Sequence, residues 1–204
     1  MTAVVLKRSR RDDILDEATR LFAERGYEGT SMADLADCVG LRKASLFHHF
    51  ASKDALYGAV LERIVNALGD LVVLSATTPG TYTERLDHMT ISLVNALGEQ
   101  PFAARILVRE MIDWGPFAEA RFRATVLPVL EAAEQFVLAG QREGVFVERD
   151  SKQLILTMCG VHLLPFAIGN VVEAFAGQQP FAPELVAARR NALLGQVRAL
   201  IVGK

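Results

Sequence analysis

Nearly every long segment of this chain spaces its apolar residues at a helical period, and strand-like alternation is almost absent. A period near 3.6 residues places side chains on one face of a helix, and such a face must be buried against another element. Ile14, Ala18, Leu21 and Phe22 fall together, Met32, Leu35, Ala36 and Val39 follow at i, i+3, i+4 and i+7, and Leu56, Val60, Ile64 and Leu68 are each four apart. Further helical patterns run over about 82–98, 101–113, 116–142, 151–175 and 183–202, with loops at 144–149 and 177–183. Helix-on-helix packing is the one architecture that buries faces of this kind throughout, so the expected fold class is all-α. Pro128 and Pro165 fall inside two of the patterns. Each removes a backbone donor and is predicted to kink its helix.

The first part of the chain is closely punctuated. Ser9 and Asp12 form an S-x-x-D capping pattern, Gly26 supplies a helix stop, Thr30 and Ser31 offer the next N-cap, and Gly40 ends a very short second helix. A third helix is predicted from near Arg42 to near Phe50, and Ser52 caps a fourth. Two short helices joined by a glycine-containing turn make a helix-turn-helix pattern. The expected organisation is a three-helix helix-turn-helix DNA-binding domain over 8–68 and a larger helical domain over 69–204.

The third helix carries the chemistry. On a wheel of about 100° per residue, Leu46 and Phe50 point inward, while Ala44, Ser45 and His48 lie opposite with Phe47 at the edge. Arg42 and Lys43 occupy the first turn, and His49 sits at the flank. Such a face, small in the middle and basic or aromatic at its rim, fits the major groove of double-stranded DNA. Lys43 can donate to guanine, Ala44 and Phe47 can meet a thymine methyl, and Ser45, His49 and Lys53 suit phosphate oxygens. The alternatives are weaker. His48 and His49 are adjacent, so they diverge by about 100° on a helix, whereas a shared metal ion needs i, i+4 spacing. No nucleophile or orienting acid accompanies them, so no catalytic residue, metal site or cofactor is assigned. A purely solvated surface remains the plain alternative.

Bulk charge does not decide the question. The net charge is −2, and the first 63 residues hold ten basic and ten acidic residues. Nucleic-acid binding therefore has to rest on how the charge is placed. Hydrophobic residues make up 51% of the chain, enough for a sizeable core, yet no run approaches ~18 apolar residues. The opening MTAVVLKRSRRDD has its short apolar run before its basic cluster, the reverse of a signal peptide. The expectation is a cytoplasmic protein, not bound to a membrane, with Cys38 and Cys159 as buried thiols.

The stretch GTSMADLADCVGLRKASLFHHFASKDAL, with ILDEATRLFAERGYEGTS before it, resembles the DNA-binding segment of TetR-family transcriptional regulators. The likeness runs from near Arg10 to about residue 64. It implies a homodimer that binds a palindromic operator and usually represses. The resemblance places base recognition on Lys43, Ala44, Ser45, Phe47, His48 and His49, and backbone contacts on Thr30, Ser31 and Lys53. Many relatives carry tyrosine where this chain has Phe47, which removes one phosphate hydrogen bond. The basic run at 7–11 is either an arm on the DNA or a solvated tail.

The resemblance also implies that the second domain dimerises and binds a small effector. Leu154, Met158, Val161, His162 and Phe166, with Leu185, Leu193, Leu194, Val197 and Leu200, are candidates for a four-helix dimer interface or for ordinary core. Met89, Met111, Trp114, Phe117, Phe122, Met158, Phe166 and Phe175 are candidates to line a hydrophobic effector pocket, with Asp113 and His162 as orienting polar groups. His88, Arg105 and Glu110 are further polar candidates. Rival readings are an activator, a regulator answering to a protein partner or to thiol oxidation, a helical interaction protein, and an enzyme. The enzyme reading has no metal-spaced cluster, G-x-S-x-G or phosphate loop to support it.

Overall fold

The computed structural model describes residues 9–113 and 116–202, excepting the side chains of 116–118. The described residues form helices without strands, and they divide into two compact units at Arg63–Ile64. That division falls inside one long helix, so the helix contributes residues to both units.

The first unit contains α1 (Arg10–Arg25), α2 (Met32–Cys38), α3 (Lys43–His49) and the start of α4 (Lys53–Thr77). Capping explains these boundaries. Ser9 accepts from the Asp12 amide at 3.2 Å, and Asp12 accepts in return from the Ser9 backbone, so α1 begins with a capping box. Ser31 and Asp34 repeat the arrangement at α2, and the two hydrogen bonds to Ser31 hold the Asp34 carboxyl below its usual range. Ser31→Ala is expected to cost about 1 kcal/mol of stability, read as a lower urea midpoint at unchanged m-value. An unchanged midpoint would remove the cap from the account.

At the far end of α2 the Gly40 amide donates to the Asp37 carbonyl at 3.1 Å, and the Leu41 amide donates to the Ala36 carbonyl at 2.8 Å. This is the Schellman pairing, which needs a left-handed residue, and Gly40 has φ +63°. The turn reverses the chain in a few residues and starts α3. Ile14, Leu21, Phe22, Leu35, Leu46, Leu56 and Val60 are all but fully buried, so every helix of the unit contributes to its core. Each such side chain stabilises the fold by about 1.5–3 kcal/mol relative to exposure.

The second unit contains the rest of α4 and α5 (Tyr82–Glu99), α6 (Ala103–Ile112), α7 (Pro116–Arg121), α8 (Leu127–Arg142), α9 (Ser151–Ala167), α10 (Gly169–Ala176) and α11 (Pro183–Ile201). α5 packs on α11 and α9, and α9 also packs on α6, α8, α10 and α11. Two apolar clusters result. One joins Leu86, Met89, Phe136, Val137, Phe146, Leu154, Ile155 and Val197, and the other joins Val94, Leu97, Ala104, Phe166 and Leu193.

The two prolines act differently from a simple kink. Ahead of Pro128 the segment Phe122–Val126 widens into a π-helical turn, in which the Leu127 amide reaches back five residues to the Phe122 carbonyl. Pro128 offers no N–H and its ring crowds the carbonyl four residues earlier, so a wider turn relieves the clash. The Thr125 hydroxyl donates to the Arg121 carbonyl at 2.8 Å within it. The expected helix over 116–142 is thus three pieces. The pattern over 151–175 also divides: α9 and α10 bend by 73° at Ile168, three residues beyond Pro165, where Pro180 and Phe181 pack against Gly169. Among the described residues no single helix is long and apolar enough to cross a membrane.

Candidate nucleic-acid interface

α3 is short, seven residues, and is held from below by Leu46 and from its end by Phe50, which are 0% and 5% exposed. With those two anchored, the remaining positions turn outward. Arg42, Lys43, Ala44, Phe47, His48 and His49 are exposed, and Ser45 is half-buried. Phe47 has 41% of its surface open to solvent, a large ring on a face that buries little else.

Charge is sorted around this helix. Arg20 pairs with Glu17 and Glu24, Arg63 with Asp16, and Arg10 with Asp13. Asp12 and Asp34 serve caps, and Asp54 accepts from the Tyr27 hydroxyl at 2.8 Å. By contrast, no hydrogen bond or ion pair within the described residues engages the side chains of Arg42, Lys43, His48 or His49. A unit whose acids and bases balance in number therefore presents uncommitted donors on one helix face, the arrangement that phosphate and base edges select.

Three expected contacts sit differently. Thr30 does not reach the surface: it is 1% exposed, and its hydroxyl donates to the Gly26 carbonyl at 2.9 Å. Ser31 is the cap of α2, and the Thr30 hydroxyl, buried and committed to a main-chain carbonyl, does not reach a phosphate. Ser31 is exposed, with its hydroxyl engaged to Asp34 at 2.8 Å. Lys53 is half-buried, with its ammonium 4.0 Å from the centre of the Tyr27 ring and donating to the Tyr27 carbonyl at 3.0 Å. It therefore ties the start of α4 to the turn after α1.

Of the basic run at 7–11, Lys7 and Arg8 lie outside the described residues. Arg10 donates to the Val39 carbonyl, and Arg11 stacks over the Phe50 ring at 4.9 Å, so both brace the helix-turn-helix. Sequence reading missed these bracing roles, because no periodicity reports a contact between residues so far apart in the chain.

The residues expected around an effector do not converge on one place. Met89 and Phe166 are buried in different apolar clusters. Met158 is half-buried against the first, and Phe122 is half-buried in the π-helical turn. Met111 and Asp113 are corrected to exposed positions at the end of α6, where the helix stops and its last turn leaves the core. Phe175 is likewise corrected, being 94% exposed. Trp114 and the Phe117 side chain lie outside the described residues. Among the polar candidates, His88 bonds Ser75 at 2.9 Å, Arg105 donates to the Ala167 carbonyl at 3.2 Å, and Glu110 pairs with Arg121 at 2.9 Å. His162 is buried at 5% exposure.

Leu154, His162, Phe166, Leu193 and Val197, candidates for a subunit interface or core, are core. On α9 and α10 the exposed large apolar side chains are Leu156, Leu164, Val171 and Phe175, with Val73 and Leu74 on α4 and Ile112 on α6 exposed as well; those on α9 are hard to foresee because apolar residues occupy several of its sides. The thiols also divide. Cys159 is half-buried, but Cys38 is exposed rather than buried, and both are free. Desolvation raises both thiol pKa values, which keeps them protonated at neutral pH. Among the described residues no group of three His, Cys, Asp or Glu side chains is placed to hold a metal ion.

Comparison with known proteins agrees with this geometry. Residues 14–60 match the profile of "Bacterial regulatory proteins, tetR family", a span that holds α2, α3 and most of α1. The biofilm operon negative regulator IcaR of Staphylococcus aureus (strain Newman) is 37% identical over 65 residues, 32% of this chain, and the chain spans about a third (35%) of that relative. The HTH-type transcriptional repressor KstR2 of Rhodococcus jostii (strain RHA1) is 31% identical over 140 residues, 62% of this chain and 66% of that one. The structure of AibR in complex with isovaleryl coenzyme A and operator DNA superposes with a TM-score of 0.76, covering 93% of this chain and 98% of AibR at 20% identity, a likeness of fold. By its helix-turn-helix, its all-helical fold and these relatives, the chain belongs to the TetR family of transcriptional regulators.

Proposed function

We propose that the protein is a ligand-responsive transcriptional repressor that binds a palindromic DNA operator as a homodimer and is released by a small, mostly hydrophobic effector. The observation that carries the reading is the uncommitted outward face of α3, with Arg42, Lys43, Ala44, Phe47, His48 and His49 exposed and Leu46 anchoring it from beneath. Lys43 and Arg42 lie at the end of α3 that approaches base edges in helix-turn-helix proteins. Phe47 offers a ring to a thymine methyl in place of a hydroxyl to phosphate.

The dimer reading is supported by the apolar outer faces of the last helices. Leu156, Leu164, Val171 and Phe175 stand exposed. On α11, Ala188, Ala192, Gly195 and Ala199 form an exposed stripe of small residues that lets a second helix approach closely. A homodimer formed through this face would carry two copies of α3 for the two half-sites of a palindrome, which on B-DNA lie roughly 34–36 Å apart. An effector held in the second unit that biases α4 would alter the fit to both half-sites. By linkage, DNA then weakens effector binding by the same factor. AibR, solved with isovaleryl coenzyme A and operator DNA, is a case of this fold holding both kinds of ligand.

The test is selection of the purified protein on random duplexes at two salt concentrations. An enriched palindrome is expected, and no enrichment at low salt would sink the reading. With the selected site in hand, Lys43→Ala is expected to cost about 1–3 kcal/mol on the preferred base pair and to relax discrimination there. Lys53→Ala is expected to weaken binding to every duplex and to lower the salt slope by about 1. An unchanged slope would assign Lys53 wholly to its contacts with Tyr27.

A further inference from the structure

We infer that His162 is the hydrogen-bond acceptor of the effector site, and that the effector is a neutral, largely apolar molecule carrying one hydroxyl or N–H donor. This rests on reading the second unit as effector-binding and adds the polarity of the ligand.

The argument begins with the two ring nitrogens. Nδ1 of His162 lies 2.8 Å from the Met158 carbonyl, one turn earlier on α9. A carbonyl oxygen only accepts, so the proton of the ring must sit on Nδ1. Burial lowers the pKa of this histidine, which keeps the ring neutral at physiological pH. Nε2 is then a bare lone pair. It is fully buried and has no hydrogen-bond partner among the described residues. A buried acceptor left without a donor costs free energy, and a core retains such a group where something else satisfies it.

Its position is suited to a ligand. On α9, Leu154, Ile155 and Met158 belong with one apolar cluster and Phe166 and Ala167 with the other. His162 is one turn from each, a single polar atom on the inward side of a helix between two greasy groups. Room for a guest can come from Met158, one turn before His162 and half-buried against the first cluster, because an unbranched thioether side chain repacks with little penalty. The chemistry of Nε2 then selects. A hydroxyl or N–H donates to it, whereas a ketone, ester or ionised carboxylate presents only lone pairs and is repelled. A site that offers a buried acceptor rejects an analogue lacking the donor more strongly than it rejects a change in apolar bulk.

The experiment uses the full-length protein with 15N-labelled histidine, whose four imidazoles are few enough to resolve. His162 is assigned by the resonance lost in His162→Leu or, if that variant does not fold, in His162→Asn. The probes are 1-naphthol, 1-methylnaphthalene and 1-tetralone, which share size but differ in donating, inert and accepting character. 1-Naphthol is expected to move the Nε2 resonance and to bind about tenfold more tightly than the other two, with the preference lost in the His162 variant. The proposal is overturned if 1-naphthol fails to bind at its solubility limit, if 1-tetralone binds as well, or if Nε2 is held by a structural water that 1-naphthol does not displace. Anisotropy of the selected duplex in the same samples separates the two levels. Intact DNA binding that other compounds release would leave the regulator reading standing while removing His162, whereas a chain that binds no duplex would fail the regulator reading itself.

Discussion

Leu46→Ala is expected to destabilise the first unit by about 2–5 kcal/mol, the largest loss available from a single change in α3. Leu46 is 0% exposed and is the one residue of that helix buried in its middle. Truncation removes its transfer free energy and leaves a cavity that a seven-residue helix held at its ends cannot collapse around. The outward residues keep their identities, so the variant separates having a recognition face from presenting it. Urea unfolding followed by circular dichroism should show a low-midpoint transition for the variant, and binding to the selected duplex should fall in step with the unfolded fraction. Phe47→Ala is the companion. Phe47 is exposed, so it should leave the midpoint almost unchanged and lower affinity only. A Leu46→Ala protein with wild-type stability would mean that α3 is not anchored as described.

Gly140→Val has the second large effect. A Cβ at this position would lie 2.2 Å from Cδ2 and 2.4 Å from Cε2 of Phe146. Phe146 has nowhere to go: it is 3% exposed and its ring centre is 5.5 Å from that of Phe136 and 5.7 Å from that of Tyr82. The backbone after α8 is also fastened, because the Gln141 side-chain amide donates to the Val147 and Arg149 carbonyls and the Val147 amide donates to Ile201. Overpacking of this kind costs ~1–3 kcal/mol or more, and the fixed surroundings place Gly140→Val at the upper end. Phe146→Ala in the same chain should return part of the loss, a coupling that a double-mutant cycle reads directly. Gly58 is the control. A Cβ there meets nothing within 4 Å, so Gly58→Ala in α4 should stabilise by about 1 kcal/mol. Equal effects at the two glycines would refute the packing argument.

Much of the recognition unit was legible in the chain itself. Capping pairs such as Ser9–Asp12 and Ser31–Asp34 act over three residues, and Gly40 needs only its own backbone angle, so local sequence determines where α1 and α2 begin and where the turn lies. The alternation of Leu46 and Phe50 with Lys43, Ala44, Phe47 and His48 likewise determines which side of α3 faces out, because a helix of known period has no freedom to choose. The inward turn of Thr30 and the tether of Lys53 to Tyr27 were settled in three dimensions, since each depends on a carbonyl or ring supplied by another segment.

In the second unit the balance reverses. α9 and α11 are apolar on several sides, so period alone left open whether Leu154 or Leu156, Phe166 or Leu164, would be buried. Packing against α5, α6, α8 and α11 decided it. Hydrophobic burial is non-directional, and a helix that can bury any face takes its orientation from its neighbours. The same holds for the π-helical turn before Pro128 and the bend at Ile168. The prolines announced a disturbance in advance, but the surrounding helices chose its form. His162 stands between these cases: its place on an apolar face was plain from the sequence, while the burial of its Nε2 without a partner among the described residues exists only because tertiary packing closed around it.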